Sequence, residues 1–190
     1  MTIPYLRHGA IAAAMAFAAA GNAGAAQYQQ VDTAASKVTL AYSQMSVGME
    51  GGFNKLEIPE FQFDPAAPEA ARVVAHIPLS SIDAGYEEAN AELGKTEWLD
   101  TGAHPMASFT SGKVEALGDN RYQVSGTLTI KGKSQEVSAP FTFKEEGGNA
   151  IFDGAFGFKR ADFSVGEGSW GDFSIVANEI QIKFHVVAKP

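Results

Sequence analysis

The sequence predicts an all-β fold: a single antiparallel β-barrel with a short helical insert near one end. In several segments apolar and polar residues alternate with a period of two, as in sheets with one dry and one wet face. Turn residues separate these segments at short intervals, and such a meander of strands can close on itself. The 190-residue chain has no internal repeat or linker, which favours one domain.

The first 25 residues have the three-part layout of a secretory signal peptide. Arg7 and His8 form a short basic head, the run 9–20 is almost entirely apolar, and small residues follow at 23–26. The apolar run is shorter than the roughly 20 residues that span a bilayer. We therefore expect 1–25 to be a signal peptide. Residues 26–190 would then be the mature secreted domain, without a transmembrane segment.

Strands are predicted wherever the alternation holds. The clearest are residues 121–130, 136–144 and 180–189, and further strands are predicted at 36–44, 47–56, 58–64, 71–79 and 150–158. Glycine and Asx residues with the positive φ angles of tight hairpins lie between the later strands, at 118–120, 131–133 and 146–149. Pro59 and Pro78 are expected at strand ends or bulges.

The helical insert is predicted within residues 82–100. Tyr86, Ala89 and Leu93 are spaced by three and four residues, which indicates a helix over Glu87–Leu93. Trp98 and Leu99 are expected in a second helical turn that packs on the barrel. The glycine-rich run 166–171 is interpreted as a mobile loop at the barrel mouth.

The inward faces of the strands combine many phenylalanines with very small residues. An eight-stranded barrel is just wide enough either to be filled by side chains or to hold one small ligand. The pattern leaves both a ligand cavity and a filled core open. If the barrel is hollow, the predicted ligand-binding residues are Phe61, Phe63, Ala75, Ile77, Leu93, Trp98, Leu99, Phe109, Val124, Gly126, Leu128, Phe141, Phe143, Phe156, Phe158, Phe163, Trp170, Ile182 and Phe184.

Composition and motifs argue against several function classes. The formal net charge of −8 disfavours nucleic acid and anionic lipid headgroups as partners. The absence of cysteine excludes thiol chemistry and thiolate metal sites. No HExxH or GxSxG motif occurs, and the histidines are interpreted as solvated. We therefore predict no catalytic residues, no metal and no required cofactor, and the chain is not expected to be an enzyme.

Two charged segments each allow two interpretations. Glu87, Glu88, Glu92 and Glu97 suit a solvated helix face better than a paired acid–base site. The segment 159–163 fits either a surface salt bridge or a cationic rim that receives the polar head of a ligand.

Seven segments, in order along the chain, resemble the YceI-like family, which is also described as polyisoprenoid-binding or lipid-binding. They are Gln30-Val31-Asp32 with Ser36-Lys37-Val38, Gly51-Gly52-Phe53-Asn54-Lys55, Ile77-Pro78-Leu79-Ser80-Ser81-Ile82-Asp83, Trp98-Leu99-Asp100 with His104-Pro105, Phe109-Thr110-Ser111, Gly126-Thr127-Leu128-Thr129-Ile130-Lys131-Gly132 and Lys159-Arg160-Ala161-Asp162-Phe163. Each motif is weak alone, but the ordered set covers essentially the whole mature chain and is specific.

The resemblance implies a lipocalin-like, eight-stranded barrel with a long apolar channel. It also implies a periplasmic carrier of a bound isoprenoid lipid, either a polyprenyl phosphate or an isoprenoid quinone. The pair Gln44-Met45 stands where many members carry a histidine, and this variety is similar to members associated with cytochrome b561-type membrane proteins. Two alternative functions stay open: an enzyme acting on a lipid-like substrate, and a filled-barrel accessory module for a membrane redox partner. The oligomeric state also stays open, with a homodimer as one option.

Overall fold

The computed structural model describes residues 27–190, so the predicted signal peptide at 1–25 lies outside the described residues. The predicted all-β fold is confirmed: the described chain is a curled antiparallel sheet with one short α-helix. Within residues 27–190, no helix is long and apolar enough to cross a membrane.

The sheet contains nine strands of six residues or more and two strands of only two residues. The strands are β1 (Gln30–Val31), β2 (Lys37–Gln44), β3 (Val47–Phe53), β4 (Glu57–Gln62), β5 (Arg72–Pro78), β6 (Ile82–Asp83), β7 (Met106–Gly118), β8 (Arg121–Ile130), β9 (Lys133–Glu146), β10 (Asn149–Lys159) and β11 (Glu179–Lys189). The helix α1 spans Glu87–Leu93, and 3-10 turns lie at Pro68–Ala70, Leu79–Ser81, Arg160–Phe163 and Gly168–Gly171.

The strands follow one another in the order β4-β5-β7-β8-β9-β10-β11-β2-β3-β6, and β1 pairs with β11. The expectation of eight strands is therefore wrong in number, since the described sheet has eleven. Two of them, β1 and β6, are only two residues long, and alternation cannot mark a segment of that length. The strand predicted at 47–56 ends at Phe53, and the one predicted at 58–64 spans Glu57–Gln62.

Four two-residue turns join long strands into hairpins. At each turn both residues have positive φ, as the right-handed twist of the flanking strands requires. Three of these turns were predicted from glycine and Asx residues, and the fourth consists of Met45 and Ser46 (φ 47° and 64°). Pro59 lies within the irregular pairing of β4 with β5, and Pro78 ends β5, as predicted.

Tyr28 joins the two sides of the curled sheet at one end. It pairs with Phe63, just after β4, through backbone bonds of 2.9 and 3.0 Å, while Gln29 N–H donates to Lys189 O of β11. The Tyr28 hydroxyl donates to Glu145 Oε1 at 2.5 Å. Burial is the main cause that raises the pKa of Tyr28 to about 12, and the Glu145 carboxylate adds to it.

The helical insert forms where it was predicted, with α1 at Glu87–Leu93. Trp98 and Leu99 are buried against the barrel as expected, but hydrogen-bonded turns carry them and not a second helix. The run 166–171, interpreted from the sequence as a mobile loop at the barrel mouth, contains the 3-10 turn Gly168–Gly171.

Candidate ligand-binding site

The inward side chains of the barrel differ in burial along its length. On β8 every second residue from Tyr122 to Ile130 is buried, which is the predicted alternation. On β11 the inward residues Ile182 and Phe184 are only half-buried, although strands flank them on both sides. Inward residues of a filled barrel would be fully buried, so the partial exposure indicates an empty interior.

Aromatic rings close one end of the barrel. Phe63 is the centre of this aromatic plug, with ring centroids 5.0 Å from Phe152, 5.2 Å from Phe143 and 5.3 Å from Tyr122. Tyr28 and Phe141 complete it. Edge-to-face and tilted ring pairs of this kind add stability beyond the apolar area that they bury.

A cavity of about 570 Å³ extends from this plug towards α1. Its volume falls within the range of small-molecule sites, and its walls are almost entirely apolar. Sixteen of the predicted ligand-binding residues line it: Phe61, Phe63, Ala75, Ile77, Leu93, Trp98, Leu99, Phe109, Val124, Leu128, Phe141, Phe156, Phe158, Trp170, Ile182 and Phe184. Whether they bind a ligand stays a prediction.

Three predicted residues lie elsewhere. Phe143 belongs to the aromatic plug. Phe163 is fully buried in a hydrophobic cluster with Leu79 and Leu99, and its ring lies 5.3 Å from that of Phe158. Gly126 does not widen the cavity, because a Cβ there would lie 2.3 Å from Thr110 O and 2.9 Å from Cζ of Phe109. Its small size allows the neighbouring strand and the Phe109 ring to approach.

Strand β2 supplies lining residues that were not predicted. Val38, Leu40 and Tyr42 face the cavity, as do Ile82 and Ala84 before α1. The alternation of Val38, Leu40 and Tyr42 with Lys37, Thr39 and Ala41 is visible in the sequence and could have identified this face.

Polar groups gather at the end of the cavity beside α1. Tyr42, Gln44, Tyr86 and Glu88 line this rim. Burial, with a smaller effect from Tyr86, raises the pKa of Tyr42, so its hydroxyl stays neutral and can donate or accept a hydrogen bond. The cavity therefore has an apolar depth and one polar end.

A hydrogen bond links the two elements that flank the rim. Trp170 Nε1–H, from the 3-10 turn Gly168–Gly171, donates to Glu92 Oε1 of α1 at 3.1 Å. Glu92 also accepts a hydrogen bond from Lys95, which is the main cause that lowers the pKa of Glu92. The Trp170 ring lies 5.3 Å from that of Trp98.

Arg160 departs from both interpretations of its segment. It is 1% exposed, so it forms neither a surface salt bridge nor a cationic rim. Its guanidinium donates to backbone carbonyls, as argued below. Asp162 and Lys159 of the same segment are exposed.

The remaining titratable groups of the described chain do not converge on the cavity. His185 pairs with Asp153 at 2.6 Å on the outer face of β10 and β11. Within residues 27–190, no group of three or more His, Asp or Glu side chains is placed to hold a metal ion.

An antiparallel barrel with a closed aromatic end, an apolar interior and one polar rim belongs to the lipocalin-like class of hollow barrels. The model of the YceI-like domain matches residues 29–188. The chain therefore belongs to the YceI-like family, and the prediction from its ordered motifs is confirmed.

Similar proteins support the same assignment. The chain is 42% identical to BcnA of Burkholderia cenocepacia, with a TM-score of 0.81 over 84% of this chain and 99% of that one. A UPF0312 protein of Pectobacterium atrosepticum is 30% identical over 85% of this chain and 82% of its own length. A polyisoprenoid-binding domain from Saccharophagus degradans shares the fold, with a TM-score of 0.64 and 16% identity over 85% of this chain and 97% of that one.

Proposed function

We propose that the mature protein is a periplasmic carrier that holds a long apolar isoprenoid lipid, a polyprenyl phosphate or an isoprenoid quinone, inside the barrel. The observation that carries this proposal is the cavity of about 570 Å³ with nearly continuous apolar walls. A buried chain gains about 0.8 kcal/mol per methylene before association costs. The polyisoprenoid-binding domain from Saccharophagus degradans, which shares the fold, agrees with this ligand class.

The position of the polar groups supports one orientation of the ligand. The apolar tail would extend towards Phe63, while the polar head would stay near Tyr42 and Gln44 at the rim. A reversed ligand would place its oxygen atoms against the aromatic plug, where they would lose hydrogen bonds to water.

Binding is favoured over catalysis by the arrangement of the lining carboxylates. Glu88 and Glu92 are the Asp or Glu residues of the described chain that line the cavity, and both lie on α1 at the rim. Glu92 already accepts hydrogen bonds from Lys95 and Trp170. A general acid–base pair would have to reach the reacting atoms of a substrate, and neither carboxylate lies along the apolar wall.

Organic extraction of the protein tests the proposal. The full chain is expressed in a bacterium, purified from the periplasmic fraction without detergent, and extracted for mass analysis. We expect a stoichiometric prenyl lipid in the extract and a protein mass that lacks about 25 residues. An extract without lipid would contradict the carrier function, and a cytoplasmic protein with its N-terminus intact would contradict the periplasmic location.

A further inference from the structure

Arg160 is a buried cation whose hydrogen-bonding capacity is fully used. A guanidinium has five N–H donors, and five backbone carbonyls accept from Arg160. Nε donates to Ala177 O at 3.1 Å, Nη1 to Val165 O and Gly166 O at 2.8 and 2.9 Å, and Nη2 to Trp170 O and Val176 O at 2.7 and 2.8 Å. No donor is left for the oxygen atoms of a ligand.

The charge of Arg160 is balanced without a carboxylate. None of the described Asp or Glu residues forms an ion pair with it. Its Cζ lies 5.4 Å from the ring centroid of Trp98 and 5.2 Å from that of Phe173, distances at which aromatic faces attract a cation. Carbonyl dipoles and ring faces stabilise the charge together. Because all five acceptors are backbone carbonyls, the hydrogen bonds of Arg160 fix the conformation of the backbone that carries them.

The five acceptors belong to the segment 165–177, which we call the rim loop. They lie on both arms of this loop, and one of them is the carbonyl of Trp170 itself. The Trp170 side chain lines the cavity and donates to Glu92 on α1, the other element that flanks the rim. Arg160 therefore holds the backbone from which the Trp170 ring reaches over the cavity end.

We propose that Arg160 is a positioning residue that fixes Trp170 across the rim and thereby sets how long an apolar ligand stays in the cavity. The effect on ligand release rests on the proposed carrier function. The contacts by which Arg160 holds the rim loop do not depend on that function. Arg160 acts through the position of Trp170, since its own donors are occupied. A ring that crosses the rim is a barrier to the leaving ligand, and mutations at a binding site change mostly the dissociation rate, so we measure dissociation.

Gly166→Ala disturbs Arg160 without removing it. A Cβ at Gly166 would lie 2.0 Å from Nη1 of Arg160, and the guanidinium cannot withdraw without breaking its carbonyl bonds. Gly148→Ala is the matched control. Gly166 and Gly148 have similar φ angles of 78° and 83°, so both variants place alanine at a positive φ. Nothing lies within 4 Å of the Cβ position at Gly148, which is in the β9–β10 turn.

Dissociation of N-phenyl-1-naphthylamine, an apolar fluorescent dye, is followed after rapid mixing with empty vesicles of zwitterionic phospholipid. We expect Gly166→Ala to release the dye about tenfold faster than wild type, and Gly148→Ala to match wild type. Arg160→Lys gives a second test, because lysine keeps the charge but has three donors in place of five. Equal dissociation rates in wild type, in folded Gly166→Ala and in folded Arg160→Lys would overturn the proposal, even if these two variants are less stable.

A double-mutant cycle separates positioning from general stabilisation. If Arg160 acts through Trp170, then Gly166→Ala should no longer change the dissociation rate in a Trp170→Ala background. Fully additive effects would overturn the proposal, because a purely structural residue would change both backgrounds alike.

Trp170 emission tests the positioning step without any ligand. The chain has two tryptophans, and Trp98 Nε1 has no hydrogen-bond partner within residues 27–190. Trp98→Phe therefore removes no hydrogen bond and leaves Trp170 as the reporter. We expect red-shifted, more quenchable emission on adding Gly166→Ala, and no change with Gly148→Ala. If wild type does not bind the dye, the carrier function fails, while this emission still supports or overturns the positioning role.

Discussion

The ring of Phe184 occupies the space in front of Gly154. The two residues are paired across β10 and β11, and a Cβ built on Gly154 would lie 2.3 Å from Cζ of Phe184 and 2.9 Å from Cβ of Phe141. The small residue thus makes room for an aromatic ring and not for a ligand. One part of the barrel interior is therefore filled, because aromatic rings pack against glycines there. Another part of the interior is the open cavity.

Gly154→Ala is expected to destabilise the fold by about 1–3 kcal/mol, because an inward methyl group would overpack the Phe184 ring. Gly157→Ala, on the same strand, is the control. Its Cβ would meet the Nε2 end of Gln181, a long and exposed side chain that can move away. The free energy of unfolding in urea measures both variants, and equal losses would contradict this account of Gly154.

Ala75→Phe is expected to block dye binding without unfolding the barrel. Ala75 lines the cavity from β5, so a ring at this position would occupy space that the ligand needs. Val74→Phe places the same ring on the opposite face of the strand and should bind the dye as wild type does. Titration with N-phenyl-1-naphthylamine checks both variants, and normal binding by Ala75→Phe would show that the dye binds outside the barrel.

Phe63→Ala is expected to cost about 3–5 kcal/mol of unfolding free energy, the usual range for a buried phenylalanine. Phe63 is 3% exposed and contacts the other rings of the aromatic plug. Leu117→Ala, at a residue that is 53% exposed, should change stability by less than about 0.5 kcal/mol. Chemical denaturation distinguishes the two, and a loss below about 1 kcal/mol for Phe63→Ala would mean that the plug is loosely packed.

Tyr28 predicts a loss of stability at high pH. Its pKa is raised to about 12, so between pH 10 and 12 the folded state holds a proton that the unfolded chain releases. The stabilisation from the neutral phenol is complete below pH 10 and is lost as the pH rises towards 12. We expect the unfolding free energy of wild type to fall more steeply over this window than that of Tyr28→Phe. Parallel pH profiles would contradict the assigned pKa.

Local patterns predicted much of the fold. The alternation in β8, β9 and β11 gave both the strands and their inward faces, and the spacing of Tyr86, Ala89 and Leu93 gave the bounds of α1. The Met45-Ser46 hairpin turn carries no glycine or Asx residue, yet the strands predicted at 36–44 and 47–56 left a gap at this turn. Two-residue pairings such as β1 and β6 are too short to leave a periodic signal.

The site was harder to predict because it depends on contacts between distant segments. The inward direction of Gly126 was predicted correctly, but its role follows from the approach of Thr110 and Phe109 on the neighbouring strand. The burial of Arg160 depends on five carbonyls that converge from residues 165–177. A charged residue at a strand end gives no sequence signal for such convergence.

A crystal structure of the protein loaded with geranylgeraniol tests the hollow barrel most directly. We predict continuous density for the prenyl chain within the barrel, between the walls that contain Phe109 and Ile182, with its hydroxyl near Tyr42 and Gln44. Density confined to the outer surface, with the rings of Phe156 and Phe184 turned inward to fill the interior, would contradict the central claim.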